Sequence, residues 1–170
     1  MNEVKSNIEN LENLFKKLIS LFKDLYSFLL KEKDSIIIED LKSLIDITIE
    51  KEKILNQISD VKMQFKNNIA KIKEYYGYKA FDYVPITRII NIIDEPNKKN
   101  LNDCYNELQK IMADIKNISI INRKLINDGI NFLNYFINYL RDSECGVEVY
   151  NLKGDKHKAT KELSFLDIQL

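Results

Sequence analysis

Side chains that could act in catalysis or bind a metal are few in this chain. There is one histidine, His157, and there are two cysteines, Cys104 and Cys145, far apart in the sequence. A zinc site, a Ser-His-Asp triad or a di-iron helical bundle needs several such residues at fixed spacing, and neither a Glu-x-x-His nor a Cys-x-x-Cys pair occurs. The carboxylates alternate with lysines, which is typical of solvated pairs on helix surfaces. We therefore predict a non-enzymatic protein with no catalytic residue, no metal site and no cofactor.

Two groups of side chains, lysines near the C-terminus and a cluster of tyrosines, could in principle bind anions or nucleic acid, but the charge balance argues against it. Lys and Arg total 26, and Asp and Glu total 26, so the basic excess expected of a nucleic-acid-binding protein is missing. The lysines near the C-terminus are diluted by Asp155 and Glu162. Clustered tyrosines could stack on bases only beside a basic groove, so we predict that they pack under the segment that follows them. These are Tyr75, Tyr76, Tyr78 and Tyr83.

Membrane insertion is not expected either. No apolar stretch is long enough to span a bilayer, and no apolar segment of a secretory signal follows Met1. Two widely separated thiols are typical of a reducing compartment. We expect a soluble cytoplasmic protein.

The strongest candidate for a functional surface is apolar and lies late in the chain. Between Ile126 and Leu140, large apolar residues cover well over half of the circumference of a predicted helix. Two explanations remain open: burial inside the bundle of this chain, or an exposed stripe that receives an amphipathic helix of a partner. The residues are Ile126, Ile130, Phe132, Leu133, Phe136, Ile137, Tyr139 and Leu140.

The first long helix, predicted at about 3–33, has the clearest periodicity. Its main apolar row advances in alternating steps of four and three residues, and two shorter rows lie beside it. A stripe this wide is expected to contact two or more partner helices. The main row is Val4, Ile8, Leu11, Phe15, Leu18, Phe22, Leu25 and Leu29, and the shorter rows are Leu14, Leu21 and Phe28, and Ile19 and Tyr26.

A second long helix is predicted at about 39–76, after a short connection in which Ser35 or Asp40 could cap it. A short connection between two long helices indicates an antiparallel hairpin. Gly77 then occupies a position where helices commonly end. The predicted apolar face of this helix is Leu41, Leu44, Ile45, Ile54, Leu55, Ile58, Val61, Phe65, Ile69, Ile72 and Tyr76.

An insert at 77–96 interrupts the long helices. Pro85 suits the first position of a short helix that extends to about residue 93, with isoleucines on its apolar side. Pro96 is expected to end the insert. No strand that could carry a Gly-rich phosphate-binding loop is predicted.

The last long helix is predicted at about 98–142. Its apolar seam becomes polar or small at Ser119, Asn122 and Gly129. Because Gly inside a helix costs about 1 kcal/mol relative to Ala, we expect Gly129 to permit the close approach of a neighbouring backbone. The resulting fold class is all-α: long antiparallel helices in an elongated coiled-coil-like bundle, with a short helical insert. We divide the chain into a bundle at 1–146 and a flexible C-terminal tail at 147–170.

Several sequence elements, in this order, resemble the FlgN-like flagellar export chaperones. The elements are Leu29-Leu30-Lys-Glu32-Lys, Asp40-Leu41-Lys-Ser-Leu44, Glu52-Lys53-Ile54-Leu55, Pro85-Ile86-Thr87-Arg-Ile-Ile90, Asn122-Arg-Lys-Leu125-Ile126, Tyr150-Asn-Leu-Lys-Gly154 and the terminal Phe165-Leu166-Asp167. Ser119 stands where the family often has another Asn. The resemblance extends over nearly the whole chain.

The resemblance implies a cytoplasmic chaperone of flagellar type III export. Such a protein binds hook-associated proteins of the hook–filament junction, prevents their premature assembly and delivers them to the export gate and its ATPase complex. It also implies that clients bind the end of the last long helix and the tail. The expected contact residues are Leu125, Ile126, Phe132, Leu133, Phe136, Tyr139, Leu140, Val149, Tyr150 and Leu152. The alternative is a structural coiled-coil scaffold that self-associates through the first helix.

Overall fold

The computed structural model describes residues 2–79, 82–95, 97–144, 148–150 and 156–158, with side chains for 4–79, 82–95 and 97–141. Four helices follow one another along the chain. They are α1 (Asn2–Ile37), α2 (Leu41–Tyr75), α3 (Ile86–Asn91) and α4 (Asn97–Glu144). Two short strands follow them, β1 (Glu148–Tyr150) and β2 (Lys156–Lys158). The all-α class is therefore confirmed, with α3 as the expected short insert before the last long helix.

The apolar rows of α1 form the centre of the protein core. Every residue of the main row is buried, and so are Leu14, Ile19 and Leu21 of the side rows. Phe28 and Tyr26 are half-buried against the same core. Because these rows cover a broad face, α1 contacts both α2 and α4, as the width of the stripe predicted.

Contacts between α1 and α2 advance in opposite directions along the two helices. Lys51 pairs with Glu32, Lys62 lies 5.8 Å from the ring centre of Phe22, and Phe65 meets Phe15. The two rings of the last pair are perpendicular, at 86°, with centres 4.9 Å apart. The antiparallel hairpin is confirmed.

The turn between α1 and α2 is tighter than predicted. α1 continues to Ile37, four residues beyond the expected end at 33, and the turn includes Glu39, whose φ is 59°. The Asp40 N–H donates to the Ser35 carbonyl at 3.0 Å, and the Glu39 N–H donates to the Ile36 carbonyl at 3.3 Å. This pair of bonds is the Schellman arrangement, in which a left-handed residue closes the helix. Ser35 is thus a buried residue of α1 and not the cap of α2.

Asp40 is the N-cap of α2. Its carboxylate accepts from the Ser43 backbone N–H at 3.0 Å and from the Ser43 hydroxyl at 2.6 Å. These bonds satisfy one of the free N–H groups at the helix start. They also lower the pKa of the Asp40 carboxyl below its ordinary value, the side-chain bond to Ser43 being the larger cause.

Gly77 ends α2 as expected, with a φ of 78° that an L side chain rarely adopts. Its N–H donates to the Glu74 carbonyl and the following Tyr78 N–H donates to the Lys73 carbonyl, both at 3.0 Å. The short helix α3 then directs Ile89 and Ile90 into the core, where both are fully buried.

The first part of α4 completes the core. Leu101, Cys104, Leu108 and Ile118 are buried in the same cluster as the α1 rows. Lys23 of α1 pairs with Glu107 at 2.6 Å, and farther along both helices Asn122 reaches Leu29. Contacts thus advance in the same direction on α1 and α4, which makes these two helices parallel and α2 antiparallel to both.

Some apolar side chains that were assigned to the core are exposed. Leu41, Ile45 and Leu55 of the predicted α2 face are at least half exposed, and so is Tyr75. Tyr83 is almost fully exposed and does not pack under the insert. Because α2 has a single strongly buried row, at Ile47, Ile54, Ile58, Val61 and Ile72, its other apolar residues lie outside the contact with α1.

The chain forms two compact units, Met1–Leu125 and Ile126–Leu170. The first contains the core described above. The second contains the end of α4 and an antiparallel pair of strands, in which Val149 lies opposite His157 and Tyr150 opposite Lys156. These two strands were not assigned from the sequence. Each has three residues, which is shorter than the four to eight needed for a periodicity signal. The division at 146 stays a prediction.

Candidate binding surface on the last helix

A buried polar contact fixes α4 shortly before the candidate surface. Asn122 is 3% exposed, and its side-chain amide donates to the Leu29 carbonyl and to the Glu32 carboxylate, both at 2.9 Å. The other carboxylate oxygen of Glu32 accepts from Lys51. Glu32 therefore joins α1, α2 and α4 at one point. This contact explains why the predicted apolar seam of α4 turns polar at Asn122.

Beyond this point the described side chains of α4 are exposed. Leu125 is half-buried, and every residue from Ile126 to Arg141 is exposed. The eight predicted apolar residues of this stretch are between 45% and 67% exposed. The sequence left burial and exposure of these eight residues as alternatives, and the structure shows that they are exposed.

The exposed stretch has three distinct faces, because positions three or four residues apart share one side of a helix. The aliphatic row is Ile126, Ile130, Leu133, Ile137 and Leu140. The aromatic row is Phe132, Phe136 and Tyr139, and the asparagine row is Asn127, Asn131, Asn134 and Asn138. At 3.6 residues per turn, the aromatic and asparagine rows each lie roughly a third of a turn from the aliphatic row, on opposite sides.

The aromatic row is ordered by contact between its own rings. Phe132 and Phe136 stack with centres 6.4 Å apart and planes inclined by only 11°. Neighbouring aromatic side chains at this spacing stabilise each other on a helix surface. The two rings thus form a stacked pair beside the aliphatic row.

The asparagine row was absent from the sequence-based assignment of the site. Its signal was nonetheless present, since the four residues advance in steps of four, three and four. All four are exposed. An Asn side chain offers both a hydrogen-bond donor and an acceptor without carrying charge.

Gly129 lies within this exposed stretch, and the reason predicted for it is wrong. A methyl group added at its Cα would meet no atom within 4 Å, so no neighbouring backbone approaches closely in the described chain. The residue is exposed.

The remaining predicted contact residues lie after α4. Val149 and Tyr150 belong to β1, and Leu152 lies outside the described residues. Ile126, Phe132, Leu133, Phe136, Tyr139 and Leu140 are thus brought together on one helix, with the half-buried Leu125 preceding them.

Chemistry other than apolar contact has little support in the described part of the chain. No group of three or more His, Cys, Asp or Glu side chains there could hold a metal ion. Cys104 is a buried thiol whose pKa is raised, chiefly by burial, and a thiol in that state is a poor nucleophile. Among the described helices none is long and apolar enough to cross a membrane.

Comparisons with known proteins identify the family. Curated proteins and solved structures provide no match to this chain. A family model described as FlgN protein matches residues 1–158, which is nearly the whole sequence. Members of this family are flagellar export chaperones. A match of this extent, on three long helices with the expected insert, shows that the chain belongs to the FlgN family.

Proposed function

We propose that the chain is a cytoplasmic chaperone that binds hook-associated proteins of the flagellar hook–filament junction. It keeps these clients from assembling prematurely and delivers them to the export gate and its ATPase complex. The protein acts by binding alone, without catalysis, cofactor, nucleic acid or membrane insertion. The observation that carries the proposal is the exposed apolar surface on α4, made up of the aliphatic and aromatic rows.

The size of this surface supports a binding role. From their exposed fractions, the eight side chains of the two rows present on the order of 900 Å² to solvent. The largest apolar patch on a typical monomer is roughly 300–600 Å². A stable complex buries about 800 Å² on each partner. The two rows together therefore provide the area that a client helix needs.

In this proposal the client segment is an amphipathic helix that lies along the aliphatic row. Phe132 and Phe136 act as aromatic anchors, since large aromatic side chains commonly dominate interface energetics. Leu125, Ile126, Leu133, Tyr139 and Leu140 complete the contact. The segment that follows α4, with Val149, Tyr150 and Leu152, closes over the bound client.

The alternative function was a scaffold that self-associates through the first helix. That interface would require the main apolar row of α1 to be accessible. The row is buried in the core, from Val4 to Leu29. Self-association through this row would require the core to open, so the chaperone function is favoured.

A pull-down with a hook-associated protein tests the proposal. We expect Phe136→Asp to abolish capture, because it places a charge in the middle of the aromatic row. Leu55→Asp on α2 is the matched control, since Leu55 is also about half exposed (50%, against 46% for Phe136). The control should bind like the unchanged chain, and both variants should keep their helical circular dichroism. Equal capture by Phe136→Asp and the unchanged chain would refute the assignment of the surface.

A further inference from the structure

The binding surface on α4 is almost without charge. Charged residues make up 31% of the chain, so sixteen residues should carry about five. Residues 125–140 carry a single one, Asp128. Charges resume immediately outside the stretch, with Lys124 before it and Arg141 after it, both exposed. The polar positions inside the stretch are instead occupied by the four residues of the asparagine row.

An uncharged surface discriminates against partners that would bury charged side chains on it, because it offers no opposite charge to offset their loss of hydration. A charged side chain that is covered by an interface loses hydration, and it needs an opposite charge or several hydrogen bonds to recover that free energy. The asparagine row provides no opposite charge. It can, however, exchange hydrogen bonds with amide and hydroxyl side chains, which cost much less to desolvate.

We propose that the client segment is a helix whose side facing the asparagine row carries amide or hydroxyl side chains and no charged ones. Its apolar side lies on the aliphatic row, and its charged side chains lie beyond the ends of residues 125–140 or face solvent. This inference rests on the proposed function and specifies the chemistry of the partner. The polarity of the surface and the area that the two apolar rows expose both favour such a helix.

Opposite charge substitutions within the asparagine row test the inference, with the captured hook-associated protein as the probe. We expect Asn134→Lys and Asn134→Glu each to weaken binding by at least about tenfold, because either charge is covered without a partner, no charged residue lying three or four positions away on the helix. An acidic client face would instead bind the Lys variant more tightly, and a basic one the Glu variant. Either result overturns the inference, and so does binding that neither substitution changes.

Matched controls separate this effect from a general effect of charge. Asn56 is an exposed asparagine on α2, and Asn56→Lys and Asn56→Glu should leave binding within about twofold. Both pairs of variants should keep the thermal stability of the unchanged chain, since the altered residues are exposed.

Salt dependence provides a second measurement. Because no charge pair crosses the central interface, the Kd should change by less than about threefold when salt rises from roughly 50 to 500 mM. A change of tenfold or more would show that charges dominate recognition and would overturn the inference while leaving the chaperone function intact. If the unchanged chain captures no hook-associated protein at all, the proposed function fails as well.

Discussion

Replacing Asn122 by Asp should destabilise the folded chain strongly, although the two side chains have nearly the same shape. Asn122 is buried, and its amide donates hydrogen bonds to the Leu29 carbonyl and the Glu32 carboxylate. An ionised Asp has no hydrogen to donate. The substitution therefore removes both bonds and places a second carboxylate about 3 Å from that of Glu32.

The expected magnitude follows from these contacts. A hydrogen bond to a charged group contributes about 1.5–3 kcal/mol to stability, and a neutral one about 0.5–1.5 kcal/mol. The loss of both bonds thus costs about 2–4.5 kcal/mol, and repulsion between the carboxylates adds to this. We expect Asn122→Asp to lower the free energy of unfolding by about 3–5 kcal/mol, which is a large fraction of the 5–15 kcal/mol typical of a domain.

Asn122→Leu separates the hydrogen bonds from the added charge. It also removes both bonds, but it eliminates the Asn122 Oδ1 atom, which is buried and has no hydrogen-bond partner among the residues that the structure describes. Relief of that unsatisfied acceptor returns about 1–3 kcal/mol, so the net loss should be near 1 kcal/mol. Asn117 is an exposed asparagine on the same helix, and Asn117→Asp should cost less than about 0.5 kcal/mol.

Urea unfolding followed by circular dichroism measures all three variants, with the slope of the transition as a check on two-state behaviour. The reasoning would be refuted by a loss below about 1 kcal/mol for Asn122→Asp, or by Asn122→Leu costing more than Asn122→Asp. Either result would mean that the amide contacts are not formed in the folded chain.

Three further substitutions test the local geometry. Glu39→Gly should raise the free energy of unfolding by about 0.5–1 kcal/mol, because Glu39 has the left-handed φ that glycine adopts without strain; an unchanged urea midpoint would contradict this. Gly129→Ala should also stabilise the chain by about 0.5–1 kcal/mol in thermal unfolding, since the added methyl group meets open space; a destabilised variant would reveal a contact there. The pKa of Asp40 is lowered in the folded chain, so its contribution to stability is present above the pKa of the unfolded state and is lost as pH falls through the folded pKa. The stability difference between the unchanged chain and Asp40→Ala should therefore shrink on acidification, and a difference that stays constant with pH would refute this.

The periodicity of the sequence was sufficient to predict the three long helices and their order. The main row of α1 is buried at every position because its steps of four and three keep one face toward the core along the whole helix. Gly77 correctly predicted the end of α2, because the requirement there is a local one: its backbone φ of 78° favours glycine whatever the tertiary contacts are.

Features that depend on tertiary contacts were harder to predict. The end of α1 was placed too early because Asp34 and Ser35 are typical of turns, whereas the actual turn uses Glu39 in a conformation that is unusual for that residue. Leu41 and Ile45 fit an apolar helical face by spacing, but spacing alone does not show how much of that face a neighbouring helix covers. In the sequence, Asn122 only interrupts the apolar seam of α4. Its structural role could not be predicted, because its hydrogen-bond partners lie about ninety residues earlier in the chain.

The same limit applies to the binding surface. The aliphatic and aromatic residues were identified from their spacing, but their exposure was not, since it depends on which residues the other helices cover. The asparagine row could have been found from the sequence. It was missed because a search for catalytic, metal-binding and apolar residues passes over uncharged polar side chains.

The core contacts and the proposed client site lie in different parts of α4. Its buried side chains lie between Leu101 and Asn122, whereas the described side chains from Ile126 to Arg141 are all exposed. An exposed side chain contributes little to the stability of the free chain, so polar residues would serve equally well there if stability were the only requirement. Eight large apolar side chains on an exposed helix instead carry a cost, because such a surface promotes aggregation. A bound state in which the proposed client covers them would explain their presence, and this is the physical reason for proposing this face as the client site.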